Sequence, residues 1–181
     1  DRDTYLKIPS YNIPNSPITL TSKFKANVSR AYAHVFSSKN TEKKFGFGLF
    51  LHYMQLYVTL DNTHYATGYY IPYNTDVDVS VVYYDKTIIV YVNGEEVYRN
   101  ENTRYRTVYS SYETFIGYDN NYAAGNTSYR FIGTIYDLKL YSETLSKYIT
   151  KLDNGKFKVR IPLKEEFKNK NLKAYYINNN N

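Results

Sequence analysis

A chain of 181 residues can bury one sizeable core and is too short for two sandwich domains. It holds no cysteine, which excludes a disulfide framework, a thiolate metal site and a cysteine nucleophile, and it sets 24 tyrosines against no tryptophan. The net charge of +6 is uneven, since residues 151–181 carry 8 Lys and Arg against 3 Asp and Glu, while residues 1–150 carry 15 against 14. No apolar run approaches the roughly 18 residues that a spanning helix needs, so no membrane span is expected. The start, Asp1-Arg2-Asp3-Thr4, has neither an initiator Met nor a signal pattern, and is expected for a mature product or an excised fragment.

Tyr5 to Ile8 forms a short edge-strand candidate, and Pro9, Pro14 and Pro17 keep residues 9–17 irregular. From Ile18 the chain alternates, with Ile18, Leu20, Ser22, Phe24 and Ala26 on one face and Thr19, Thr21, Lys23 and Lys25 on the other. Further strands are expected near 31–37, 45–51, 55–60, 78–84, 87–92, 95–98, 114–117 and 130–141, with loops over 61–76, 99–113 and 118–129. Asp85-Lys86 joins two β-branched runs, and Asn93-Gly94 closes the second because Asn-Gly supplies the positive φ angles of a type I′ hairpin. In the last long strand Leu138 and Leu140 share a face opposite Asp137, Lys139 and Tyr141. One short helix is predicted near 143–151, capped by Ser142 and stopped near Asn154-Gly155. Phe157, Val159, Ile161 and Leu163 then alternate with Lys156, Lys158 and Arg160 as a strand. A polar linker over 164–172 leads to a final strand candidate, Ala174 to Ile177. The fold class is all-β, a two-sheet antiparallel sandwich. The domain reading is a sandwich over 1–150 and a basic C-terminal extension of strand plus linker over 151–181, packed on the sandwich or leading to a neighbour.

Three segments carry a family resemblance: Tyr91-Val92-Asn93-Gly94, Ile116-Gly117, and Phe131-Ile132-Gly133-Thr134-Ile135 running through Tyr141 to Leu145-Ser146. In this order and spacing the chain resembles the laminin-G-like, concanavalin A-like lectin/glucanase superfamily over roughly residues 1–150. The resemblance implies a jelly roll. The pattern departs in two places. Tyr136 stands between Ile135 and Asp137, where the family has Asp directly after Ile, and Lys147, Tyr148 and Ile149 follow Leu-Ser, where an acidic residue is usual.

If each connection reverses direction, the loops at 38–44, 61–76 and 118–129 share the end of the sandwich that holds Asn93-Gly94, and Tyr53-Met54, Asp85-Lys86 and 99–113 share the other. The first end gathers Tyr65, Tyr69, Tyr70, Tyr73, Asn93, Asp119, Asn120, Asn121 and Tyr122. Rings there would cover apolar sugar faces while amides and carboxylates pair hydroxyls. Tyr is also a good strand former and Asn and Asp are ordinary turn residues, so packing and turn roles compete with a ligand role. Relatives bind calcium at a loop rim through hard oxygen ligands, and Asp61 and Asp119 are the available metal candidates, although no Asp-x-Asp-x-Asp-Gly loop exists. His34, His52 and His64 lack metal-ligand spacing.

Glycosidases of this fold use a Glu-x-Asp-x-x-Glu strand that is missing here, and neither Glu95-Glu96 nor Glu165-Glu166 makes a carboxylate dyad. No catalytic residue is assigned and no cofactor is required, with calcium the one ion considered. Asn27-Val28-Ser29 and Asn126-Thr127-Ser128 fit the glycosylation acceptor pattern. The basic tail could meet an anionic partner, but a nucleic-acid module would want a basic stripe with interleaved aromatics, so no nucleic acid is expected. The function expected is a non-catalytic recognition module, extracellular or on the cell surface, binding glycan or a surface protein through rim loops or a Tyr-rich sheet face. The alternative is a structural or spike domain on a virion surface or surface layer, self-associating or packing against neighbouring structural subunits.

Overall fold

The computed structural model describes residues 5–8, 17–39, 45–103, 113–119, 129–142, 149–151 and 157–159. The chain divides into two compact units, Asp1–Leu145 and Ser146–Asn181, a boundary slightly before the one expected at 150. The first unit holds β1 (Leu6–Ile8), β2 (Ile18–Ala26), β3 (Ala33–Lys39), β4 (Phe45–His52), β5 (Gln55–Leu60), β6 (Thr63–Tyr70), β7 (Asp76–Tyr84), β8 (Thr87–Val92), β9 (Glu95–Asn100), β10 (Glu113–Ile116) and β11 (Gly133–Tyr141). They form a six-stranded sheet in the order β1-β10-β3-β4-β5-β6 and a five-stranded sheet in the order β11-β2-β7-β8-β9, with every pairing antiparallel. The expected sandwich is therefore present.

Period-two alternation makes the core. Ile18, Leu20 and Phe24 of β2, Val77, Val79 and Val81 of β7 and Ile88, Val90 and Val92 of β8 are buried against Phe47, Leu49 and Leu51 of β4 and Leu56, Val58 and Leu60 of β5. Ser22 shares the inward face of β2, as its position in the alternation requires, and its hydroxyl donates to the Asp137 carbonyl at 2.9 Å. Ile135, Leu138 and Leu140 of β11 pack on the same core. Tyr136, the residue that interrupts the family pattern, is the extra residue of a β-bulge, since Ile135 pairs Phe24 and Asp137 pairs the adjacent Lys23. The bulge turns Tyr136 outward, where its hydroxyl donates to Asp76 Oδ1 at 3.0 Å and the Lys23 ammonium lies 6.0 Å from its ring centroid.

Four two-residue hairpins have positive φ at both turn positions: Tyr53-Met54 (49° and 70°), Asp61-Asn62 (46° and 62°), Asp85-Lys86 (40° and 63°) and Asn93-Gly94 (51° and 83°). Only the last carries the favoured Asn-Gly pair. At Tyr53-Met54 two bulky residues accept left-handed backbone, at about 1 kcal/mol each. Burial of Met54 in the core and hydrogen bonds from Tyr53 N–H to the Arg30 carbonyl (2.8 Å) and from Ile71 N–H to the Met54 carbonyl (2.9 Å) offset that cost.

Two expectations need correction. Residues 61–76 are not one loop, because Thr63–Tyr70 forms β6, paired along β5. Its alternation is hidden in the sequence by an irregularity at Thr67-Gly68, where Thr67 Oγ1 donates to the Leu56 carbonyl and accepts the Tyr69 N–H, and Gly68 takes φ 77°. One uncounted strand inverts every connection before it. The Tyr53-Met54 turn therefore lies at the Asn93-Gly94 end, with 27–32 and 71–75, whereas Asp61-Asn62 and the β3–β4 connection lie at the other, where Asp61 N–H donates to the Gly46 carbonyl. The helix near 143–151 is also corrected at its C-terminal part, where Ile149–Lys151 is strand β12, paired antiparallel with β13 (Phe157–Val159). Cross-strand pairing of β-branched Ile149 and Thr150 outweighs the local helix signal. Residues 143–148, the linker over 164–172 and the strand candidate 174–177 lie outside the described residues, as does Asn126.

The Phe-Ile-Gly motif has a steric basis: a Cβ on Gly133 would sit 1.9 Å from the Lys25 carbonyl oxygen. A Cβ on Gly94 meets nothing within 4 Å, so only its positive φ is at stake. Gly133→Ala is therefore expected to destabilise by about 3 kcal/mol or more and Gly94→Ala by about 1 kcal/mol, measured by urea unfolding. Equal losses would contradict the steric account.

Candidate functional site

The alternation that sends Leu49, Leu51, Leu56 and Val58 into the core sends Phe50, His52, Gln55 and Tyr57 to the opposite face of the six-stranded sheet. Phe50 on that outer face is nonetheless only 1% exposed. Rings cover it: His34 at 5.0 Å, Tyr57 at 5.0 Å, His64 at 5.1 Å and Tyr32 at 5.8 Å between centroids. Tyr32 extends the cluster to Tyr129 (5.4 Å) and His52 (4.9 Å), and His52 meets Tyr53 edge-on at 4.7 Å. Stacked and T-shaped pairs of this kind contribute about 0.5–1.5 kcal/mol each beyond area burial. The outcome is a second, aromatic layer whose middle is buried and whose margin is open, with Tyr53 60% and Tyr32 36% exposed.

A buried polar pair supports the side of this layer next to β10. His34 Nε2 lies 3.5 Å from Asp119 Oδ2, and both side chains are almost wholly buried. Backbone contacts deliver Asp119: Gly117 N–H donates to the Val35 carbonyl at 3.0 Å, and Ser37 Oγ donates to the Tyr118 carbonyl at 2.9 Å. Arg130 forms a parallel bridge with His34 and carries its guanidinium 5.7 Å from the Tyr118 ring centroid. A carboxylate withdrawn from water needs such charged and polar company, because burial alone would disfavour its ionised form.

The predicted site residues are dispersed. Tyr65 and Tyr69 are half-buried against the core, Tyr70 and Tyr73 are exposed, and Asn93 uses its Oδ1 to accept the N–H of Asp78 on the neighbouring strand β7 at 2.9 Å. Asp119 is buried beside His34, and Asn120, Asn121 and Tyr122 lie outside the described residues. Asp61 sits at the end of the sheet opposite Asp119, so the two do not fit one calcium site. Among the described residues, no three His, Cys, Asp or Glu side chains are grouped to hold a metal. Tyr70 does join the aromatic face, because Gln55 pairs with both His52 and Tyr70 and Tyr69 takes the core side. Tyr32, His34, Phe50, His52, Tyr53, Gln55, Tyr57 and Tyr129 were not anticipated. Their signal in the sequence is a second period-two set, Phe50-x-His52 and Gln55-x-Tyr57, interleaved with the leucines.

Two outcomes follow from this packing. Phe50→Ala, although outside the sandwich core, is expected to cost about 3–5 kcal/mol in urea unfolding, against less than about 1 kcal/mol for Tyr53→Ala. Burial first, then the charges of Tyr5 and Asp119, pushes the Tyr118 phenol above its ordinary value. A raised folded pKa favours the neutral phenol, so its stabilisation is full below the unfolded value near 10 and is lost as pH climbs through the folded one. Tyr118→Phe should therefore lose stability less steeply than the parent between about pH 9 and 12. Parallel pH profiles would contradict this.

The family model for the concanavalin A-like lectin/glucanases superfamily matches residues 1–148. Among solved structures, a heptameric SAP-like pentraxin from Limulus polyphemus is similar at TM-score 0.63 and 17% identity, over 78% of this chain and 70% of that one. The sialidase CBM40 of Ruminococcus gnavus, bound to α2,3-sialyllactose, is similar at TM-score 0.60 and 14% identity, over 77% and 92%. Domain 4 of AbnA, an extracellular arabinanase of Geobacillus stearothermophilus, in complex with arabinotriose, gives TM-score 0.62 and 14% identity, over 80% and 69%. No curated protein sequence matches the chain. Fold likeness and family match agree, and the chain belongs to the concanavalin A-like lectin/glucanases superfamily.

Proposed function

We propose that the protein is a non-catalytic recognition module that acts outside the cell or at its surface and binds glycan on the outer face of the six-stranded sheet. The carrying observation is the open margin of the aromatic layer, where Tyr32, Tyr53 and Tyr70 keep exposed rings while Phe50 beneath is sealed. Flat rings held by neighbouring rings lose little entropy on contact and suit the apolar faces of sugars. Two of the similar structures, the CBM40 and domain 4 of AbnA, hold sialyllactose and arabinotriose, which supports glycan as the ligand class. A binding role also accords with the acidic groups that the structure describes. Glu96, for example, is held below the usual carboxylate range by hydrogen bonds from Arg99 (2.7 and 2.8 Å), as a surface ion pair within one hairpin.

A glycan-array screen of the purified protein at moderate salt, with and without calcium, tests this reading. Reproducible binding that Tyr32→Ala and Tyr53→Ala abolish, each variant still unfolding cooperatively and folded at the assay temperature, is the expected result. Absence of binding to any glycan, or binding indifferent to both substitutions, would remove it.

A further inference from the structure

At the Asn93-Gly94 end of the outer face, four residues lie side by side across four adjacent chain segments. Tyr32, just before β3, contacts His52 of β4; His52 pairs with Gln55 of β5; and Gln55 pairs with Tyr70 of β6. Three inter-strand steps of about 4.8 Å make a row of some 14 Å. Its ends are aromatic and open, with Tyr32 beside Tyr53 at one and Tyr70, 62% exposed, at the other. The middle is an amide. Gln55 Oε1 accepts the Tyr57 hydroxyl at 3.2 Å, which keeps the amide N–H2 as its donor.

We infer that this row takes a neutral oligosaccharide laid across the strands, with one sugar on Tyr32 and Tyr53, one over Gln55 and one on Tyr70. The inference rests on the glycan reading above and specifies its ligand. Two stacking stations separated by a hydrogen-bonding one match a chain of about three sugars, since a single sugar could not reach both ends of the row. Neutrality follows from the charges. Tyr32, Tyr53, Gln55 and Tyr70 carry none; the His52 imidazole is packed against the Tyr32 and Tyr53 rings; the Asp119 carboxylate is buried against His34; and the Arg130 guanidinium lies 5.7 Å from the Tyr118 ring centroid. Arg30, two residues before Tyr32, is the one nearby cation in sequence, and its backbone carbonyl receives the Tyr53 N–H. An acidic sugar would need a cation within the row itself, of the kind that makes charge-assisted bonds to a carboxylate.

Calorimetric titration with arabinotriose, xylotriose, cellotriose and maltotriose, their disaccharides, and 3′-sialyllactose tests this. At least one neutral trisaccharide should bind about tenfold more tightly than its disaccharide, which is the gain from the second stack. Tyr70→Ala should cut that trisaccharide to the level of its disaccharide. Affinity should change less than about twofold between about 50 and 500 mM salt. Preferential binding of sialyllactose that weakens with salt and is lost in Arg30→Ala would overturn the inference while leaving the glycan reading in place. So would a Tyr70→Ala variant that binds trisaccharide like the parent while Tyr53→Ala does not. Silence of every saccharide here and on the array would remove both.

Discussion

The register of the hairpin formed by β4 and β5 is the constraint on which the rest of the sandwich depends. A slip of one residue there would move Leu49, Leu51, Leu56 and Val58 to the outside and Phe50, His52, Gln55 and Tyr57 to the inside. The Tyr53-Met54 turn holds that register with backbone that neither residue prefers. It is secured from three directions: Met54 in the core, the Arg30 carbonyl on one flank and the Ile71 N–H on the other. The turn thus fixes the pairing while its tyrosine ring joins the margin of the aromatic layer. An Asn-Gly pair at this place would satisfy the first role and lose the second.

Both faces of the six-stranded sheet are consequently packed, which is unusual for an antiparallel sheet with one free side. The inner face is mainly aliphatic, with Phe36 and Phe47 among the leucines and valines. The outer face is aromatic and polar at its margins, and it must satisfy what it buries. That explains why His34 and Asp119 meet beneath the rings, and why the loop after β10 is tied back to β3 through Gly117 and Ser37. By contrast, the ion pairs of Lys7 with Glu113 and Arg99 with Glu96 are on the surface, where solvent screening leaves them about 0–1 kcal/mol each. Shape and order on the outer face come from rings and the buried pair, not from surface charge.

A site at the loop rim and a site on a sheet face make different physical demands. Rim loops rich in Asn and Asp have their side chains drawn into turns, as Asn93 is drawn to Asp78 and Asn27 to Asn74. A sheet face holds its side chains at a spacing that the backbone ladder imposes, so rings three strands apart are aligned before any ligand arrives. The row from Tyr32 to Tyr70 has this property because the irregularity at Thr67-Gly68 lets Tyr69 pack inward while Tyr70 stays out.

Local signals in the sequence determined the strands of β2, β7, β8 and β11, the Asn93-Gly94 turn, and the family motifs, because alternation and turn chemistry act over a few residues. The extra residue Tyr136 was visible there too, and the structure makes it a bulge. Strand β6 was not legible, since Gly68 and a two-residue irregularity break its period, and with it went the assignment of loops to ends. The aromatic face was written in the chain as the residues between the leucines of β4 and β5, yet nothing local says which of two interleaved sets is core. Only the tertiary structure decides that, because the choice depends on which face meets the other sheet, and because the rings that cover Phe50 come from Tyr32, His34, Tyr57 and His64 on three other segments of the chain.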